Sequence, residues 1–179
     1  MLPVTSVLVV VDLQVGVVRD AWDADGVLAR TVALVERARA EGTPVVWVQD
    51  EQDFPRGSDD WQLAPVLEPH DDEERILKAY RDAFAGTDLA DVLAELRATR
   101  LVIAGAQSDF CVRTLGQSAA ALGFDVTLVG DCHTTWGGEH AGAPVTGEQI
   151  VAQVNAYFVG LRYPGQTFTV EGHGTVPLA

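Results

Sequence analysis

The chain has 179 residues, 47% of them hydrophobic, which is enough for one domain to bury a sizeable core. Its 26 Asp and Glu outnumber 12 Lys and Arg, and the formal charge of -14 repels phosphate backbones and anionic lipid surfaces, so nucleic-acid and membrane partners are not expected. No apolar run approaches the roughly 20 residues of a spanning helix, and no basic n-region leads into an apolar h-region, so the chain reads as cytoplasmic.

Aliphatic runs alternate with amphipathic patterns, the signature of a parallel sheet covered by helices on both faces. The first strand is expected at Val7 to Val11. A helix follows, with Leu28, Val32 and Val35 on one face and a stop at Gly42 before Pro44. The second strand is expected at Val45 to Gln49. The segment Asp50 to Arg75 then breaks the rhythm with Pro55, Gly57, Pro65 and Pro69 and the acids Asp71 to Glu74. Its aromatics, Phe54 and Trp61, favour a packed loop or lid over a solvated linker. Leu89, Val92, Leu93 and Leu96 fall on one helical face, and a strand is expected at Leu101 to Ala106. Val112, Leu115, Ala119 and Leu122 mark the next helix, ending at Gly123. A strand at Val126 to Val129 precedes an irregular Gly-rich stretch from His133 to Gly147. Ile150, Val151, Val154 and Phe158 mark a last helix behind Thr146 as N-cap, and a final strand is expected at Thr167 to Val170.

In an open α/β sheet, ligands bind outside the carboxyl ends of the strands. Asp12, Gln49 to Glu51, Gln107 to Cys111 and Asp131 to His133 each lie just past a strand, so they converge on one rim. With Ser108 or Asp109 as cap, Cys111 falls in the first turn of a helix, where unpaired N–H groups and the helix dipole favour a thiolate. A small buried hydrophobe is the alternative. Asp12 ends an aliphatic run. Desolvation would raise it from about 3.9 toward the range where it accepts a thiol proton, while a nearby ammonium would pull it down; a helix N-cap at the strand-to-helix turn is the alternative. Lys78 lies in an apolar stretch after four acids, although a lone lysine is more often a surface residue. An acid, a cation and a thiol at strand edges are the parts of a cysteine nucleophile, and they point to an enzyme. Cys111 and Cys132 have different neighbourhoods and are not expected to pair. The histidines receive no catalytic role; His133 reads as a rim or packing residue, and His140 and His173 lie in Gly-rich segments.

Four stretches carry a family likeness: VVVDLQ around Asp12, PRGSDDWQL from Pro55, KAYRDAFAGTDL from Lys78, and GAQSDFCVRTLGQSAAALGFDVTLVGDCHTT from Gly105. Together they resemble the isochorismatase-like cysteine hydrolase family, which includes nicotinamidases, N-carbamoylsarcosine amidohydrolases, ureidoacrylate hydrolases and isochorismatases. The resemblance covers nearly the whole chain and is read as a single domain over residues 1–179. It implies a three-layer αβα fold with a six-stranded, mostly parallel sheet, and a triad of Asp12, Lys78 and Cys111. It also implies a non-proline cis peptide at Ala106–Gln107, with the Gln107 and Cys111 amides forming an oxyanion hole suited to acyl transfer. The implied activity is hydrolysis of a small-molecule amide or related C–N bond through a Cys thioester. Vinyl ether hydrolysis, as in isochorismatase proper, and a catalytically silent binding protein of the same fold are the alternatives.

Gln14, Trp47, Trp61, Phe84, Gln107, Phe110 and Trp136 are expected to line the pocket, which suggests a small, partly apolar amide. Nicotinamidases carry an Asp and two His after the second strand that bind a divalent ion. Here that stretch reads QDEQDFPRGSDDWQL, with Asp50 but no histidine until His70, so no metal and no cofactor are expected. A small-molecule substrate and assembly as a homodimer or higher homo-oligomer are expected of a chain resembling this family.

Overall fold

The computed structural model describes residues 5–178, with the backbone alone at His140. Six strands form one sheet in the order β3-β2-β1-β4-β5-β8, and all five pairings are parallel. They are β1 Ser6–Val11, β2 Val45–Asp50, β3 Glu74–Lys78, β4 Arg100–Ala106, β5 Asp125–Thr134 and β8 Phe168–Glu171. The helices are the single turn α1 Val15–Val18, then α2 Ala24–Glu41, α3 Leu89–Glu95, α4 Arg113–Ala121 and α5 Gly147–Gly160.

The aliphatic runs are explained by burial on both faces of the sheet. Val7, Val9 and Val11 of β1 pack with Leu93 of α3, Leu115 of α4 and Phe158 of α5, whereas Leu8 and Val10 pack with Leu34 and Ala38 of α2. Alternate residues of one strand thus serve the two outer layers of a three-layer αβα fold. Gly42 ends α2 in the left-handed conformation, φ 74°, with its N–H bonded back into the last turn. Thr146 caps α5 through a full capping box with Gln149.

Three elements differ from the sequence expectation. The strand β3, ERILK, was not separable from the acids before it because it is a five-residue edge strand with its first two residues exposed. It is anchored by Glu73, which accepts hydrogen bonds from Trp47 Nε1 at 2.7 Å and Arg39 Nε at 2.8 Å. The stretch after β5 is not wholly irregular: β5 continues to Thr134, and β6 Gly138–His140 pairs with β7 Ala143–Val145 as an antiparallel hairpin. Helix α4 is entered through a π-helical turn, Ser108–Val112, which neither Ser108 nor Asp109 caps. Ser108 Oγ instead meets His133 Nδ1 at 2.8 Å, and Asp109 Oδ1 accepts from the Thr135 hydroxyl at 2.7 Å.

The chain builds β1, β2 and β3 in one direction, then crosses to β4 and builds outward the other way. The order therefore reverses between β1 and β4, and the crevice at their carboxyl ends is the natural ligand position of such a sheet. Gly105 permits the close approach there. Its φ is 133°, and a Cβ would run into the Val11 backbone oxygen and nitrogen. Gly105→Ala should therefore destabilise the fold by about 3 kcal/mol or more, measured as a drop in the denaturant midpoint. A midpoint close to that of the parent chain would show that β4 can move away from β1 at little cost.

Candidate active site

Each side chain of the site comes from the end of a strand or the turn behind it. At Asp12 the chain leaves β1 with φ 47°, a left-handed conformation that Asp tolerates better than most residues. Asp50 ends β2, and parallel pairing sets it directly opposite Lys78 at the end of β3. Cys111 lies in the π-helical turn behind β4. Gln14, two residues beyond Asp12, braces this rim: its amide donates to the carbonyls of Asp50 and Trp61, both at 2.9 Å, and accepts from the Asp50 N–H at 2.8 Å.

Lys78 is the centre of the group. Its ammonium, with a side chain 0% exposed, lies 2.8 Å from Asp12 Oδ2, 3.2 Å from Asp50 Oδ2 and 3.4 Å from Cys111 Sγ. The other oxygen of Asp50 accepts from the N–H groups of Gln52 and Asp53 at 3.0 and 2.7 Å. Asp50 is thus fully engaged. The second oxygen of Asp12, Oδ1, is buried without a hydrogen-bond partner.

Burial dominates the electrostatics. It pushes the Asp12 carboxyl up to about 6 against the pull of Lys78, with Asp50 adding to the rise. It also pushes the Cys111 thiol up to about 11, helped by the charge of Asp12 and opposed by Lys78. Burial works against a charged Lys78, yet Asp12, Cys111 and Asp50 together hold its ammonium above the ordinary lysine value. The capped helix end expected behind β4 is not formed, and at Cys111 burial and Asp12 oppose the thiolate that Lys78 favours.

A cavity of about 150 Å³ opens onto these groups, lined by Asp12, Val17, Asp50, Asp53, Phe54, Arg81, Gln107, Cys111 and Trp136. It is small beside the ~300–1,000 Å³ of drug-sized pockets. Gln107 and Trp136 lie where the sequence suggested, and the Ala106–Gln107 peptide is cis. Phe110 stands close by, with the Arg81 guanidinium 5.5 Å over its ring.

Four expected pocket residues lie elsewhere. Gln14 is wholly buried, with its amide spent on backbone. Trp47 points to the α2 side and bonds Glu73. Phe84 stacks on Phe124 at 6.3 Å, and Trp61 takes part through its carbonyl, which accepts from Gln14 and Gln49. Asp53, Phe54 and Arg81 were not expected at the cavity. Arg81 had one available signal, its position three residues past Lys78 in the loop leaving β3.

Cys111 and Cys132 are free and pack into hydrophobic clusters on opposite faces of the sheet. His133 is buried between Ser108 and Asn155, and burial holds it below the ordinary histidine value. The one group of potential metal ligands found among the described residues, Asp131, Cys132 and His173, does not touch the cavity. There His173 Nδ1 lies 2.6 Å from Asp131 Oδ2, a pair that fastens the C-terminal segment.

A family model described as an isochorismatase domain matches residues 6–153. A streptothricin hydrolase of Streptomyces noursei is 36% identical over 138 residues, 72% of this chain and 54% of that protein. A second streptothricin hydrolase of the same organism gives 49%, so the chain spans about half the length of these curated relatives. Among solved structures, an isochorismatase from Pseudomonas putida has a TM-score of 0.87 at 24% identity, covering 99% of this chain and 94% of that one. A cysteine hydrolase from Pseudomonas syringae pv. phaseolicola has a TM-score of 0.83 at 16% identity, covering 97% and 91%. At those identities the likeness speaks to the fold. The chain belongs to the isochorismatase family.

The charge arrangement makes an unusual prediction for thiol reactivity. Alkylation of Cys111 by iodoacetamide should have a rate midpoint above that of a free thiol, and Cys132, pushed up to about 12 by burial and Asp131, should react more slowly still. Asp12→Asn removes a charge that holds the thiol up, so it should lower the Cys111 midpoint and speed labelling at neutral pH. Lys78→Ala should shift the midpoint the other way. A midpoint unmoved by Asp12→Asn would show that the two groups do not interact.

Proposed function

We propose that this protein hydrolyses a small-molecule amide or related C–N bond through a thioester on Cys111, with Asp12 as acid and base and Lys78 as the compensating cation. The observation that carries the reading is the buried ammonium of Lys78 in contact with both the Asp12 carboxylate and the Cys111 sulfur. Asp12, pushed up to about 6, is ionised at neutral pH yet basic enough to serve. Its charge is one reason the thiol is a weak acid. Moving the proton from sulfur to Asp12 removes that cause and leaves a thiolate against Lys78, so the transfer assists itself.

In the first half-reaction the thiolate attacks the carbonyl carbon, a C–S bond forms, and the oxyanion is held by the Gln107 and Cys111 amides. As the carbonyl reforms, the C–N bond breaks and the amine leaves with the proton held by Asp12. Water then attacks the thioester with Asp12 as base, releasing the carboxylic acid and restoring the thiol. The small cavity suits a compact acyl group, and the likeness to streptothricin hydrolases adds streptothricin to the compounds worth testing. A second reading, acid-driven vinyl ether cleavage, is favoured only by the raised Asp12, which is partly protonated near pH 6.

Ammonia or amine release should be screened over primary amides, ureido compounds, lactams and streptothricin. On any substrate found, kcat/KM should rise with pH through about 6 as Asp12 ionises. Cys111→Ser should bind substrate but turn over about a thousandfold more slowly, and Asp12→Asn should lose at least as much. Near-normal turnover by Cys111→Ser would remove the thioester mechanism and favour vinyl ether chemistry.

A further inference from the structure

We propose that Arg81 determines the specificity of this site and that it selects small amides bearing a carboxylate group; the amide itself rests on the hydrolase reading above. The reaction cavity does not end at Cys111. It shares Asp50, Asp53 and Arg81 with an adjoining cavity of about 220 Å³, also walled by Ala79 and Tyr80. A molecule held at the thiol therefore extends outward past the guanidinium.

Two cations approach the nucleophile, and only one can serve a ligand. Lys78 has no exposed side-chain surface, and its ammonium is shared by Asp12, Asp50 and Cys111. Arg81 has a side chain 50% exposed, and its Nη2 lies 2.8 Å from Asp53 Oδ2, itself 48% exposed. The Phe110 ring lies 5.5 Å from the guanidinium carbon, and the half-exposed fork can be met by a bidentate acceptor once Asp53 is displaced. An ion pair so exposed is weak. Asp53 accordingly holds Arg81 in place while the cavity is empty and gives way to a carboxylate of the ligand.

Arg81 and Cys111 line the same cavity, so a thiolate there would favour the charged guanidinium. A role in steadying the thiolate would act on every substrate alike, whereas a docking role acts on anionic ones and survives removal of the sulfur. The experiment therefore uses protein carrying Cys111→Ala. Calorimetric titration with succinamate and with butanamide should show the carboxylate compound binding about tenfold tighter. The preference should vanish on adding Arg81→Gln, survive in part with Arg81→Lys, and increase with Asp53→Asn, which removes the competing carboxylate. Equal affinities, or a preference that persists with Arg81→Gln, would overturn the assignment. Turnover is read separately on the chain with Cys111 intact. A carboxylate preference in binding, with no amine released from any amide tested, would remove the hydrolase reading and leave the role of Arg81 standing.

Discussion

The arrangement of this molecule turns on one buried cation. An ammonium removed from water costs several kcal/mol unless its surroundings return that energy. Lys78 recovers it from two carboxylates and a sulfur, all within 3.4 Å. The set is mutually dependent. Without Lys78, Asp12 and Asp50 would be two buried anions facing each other, and without the acids the lysine would lose its charge. The same dependence that keeps the site assembled sets a thiol and a carboxyl against one buried positive charge, the feature on which the proposed mechanism rests.

The sheet supplies the precision. Parallel register sets Asp50 opposite Lys78, and the reversal of strand order between β1 and β4 brings the Asp12 and Cys111 segments to one crevice. Gln14 then ties the long segment after β2 to that rim through the Asp50 and Trp61 backbones. A loop rich in Pro and charge is thereby held as a wall of the cavity, with Asp53 and Phe54 facing in.

Much of this was legible in the sequence where burial is two-sided. Uniform aliphatic runs announced β1, β2, β4 and the start of β5, and the helical faces of α2 to α5 followed from their spacing. The rim position of Asp12 and Cys111 followed in turn from the strand ends. What could not be read was direction. All six residues of β2 are buried, so no polar alternation showed that Trp47 faces α2 while Val46 and Val48 face the Cys111 side. Alternation along β1 would send Asp12 to the side of Leu8 and Val10, and only the left-handed turn at that residue lets it reach Lys78. The environment of the thiol was hidden for a related reason: helix position is written in the sequence, but the burial that opposes its ionisation is not.

The placement of Lys78 on β3 has a further consequence. That strand is five residues long, lies at the sheet edge, and pairs with β2 alone. Edge strands open more readily than the strands they flank. Lifting β3 would draw the ammonium away from Asp12, Asp50 and Cys111 together and uncover Ile76, while β1, β4 and β5 are paired with one another without it. Assembly of the charged group is therefore tied to the docking of one edge strand rather than to the central strand pairings.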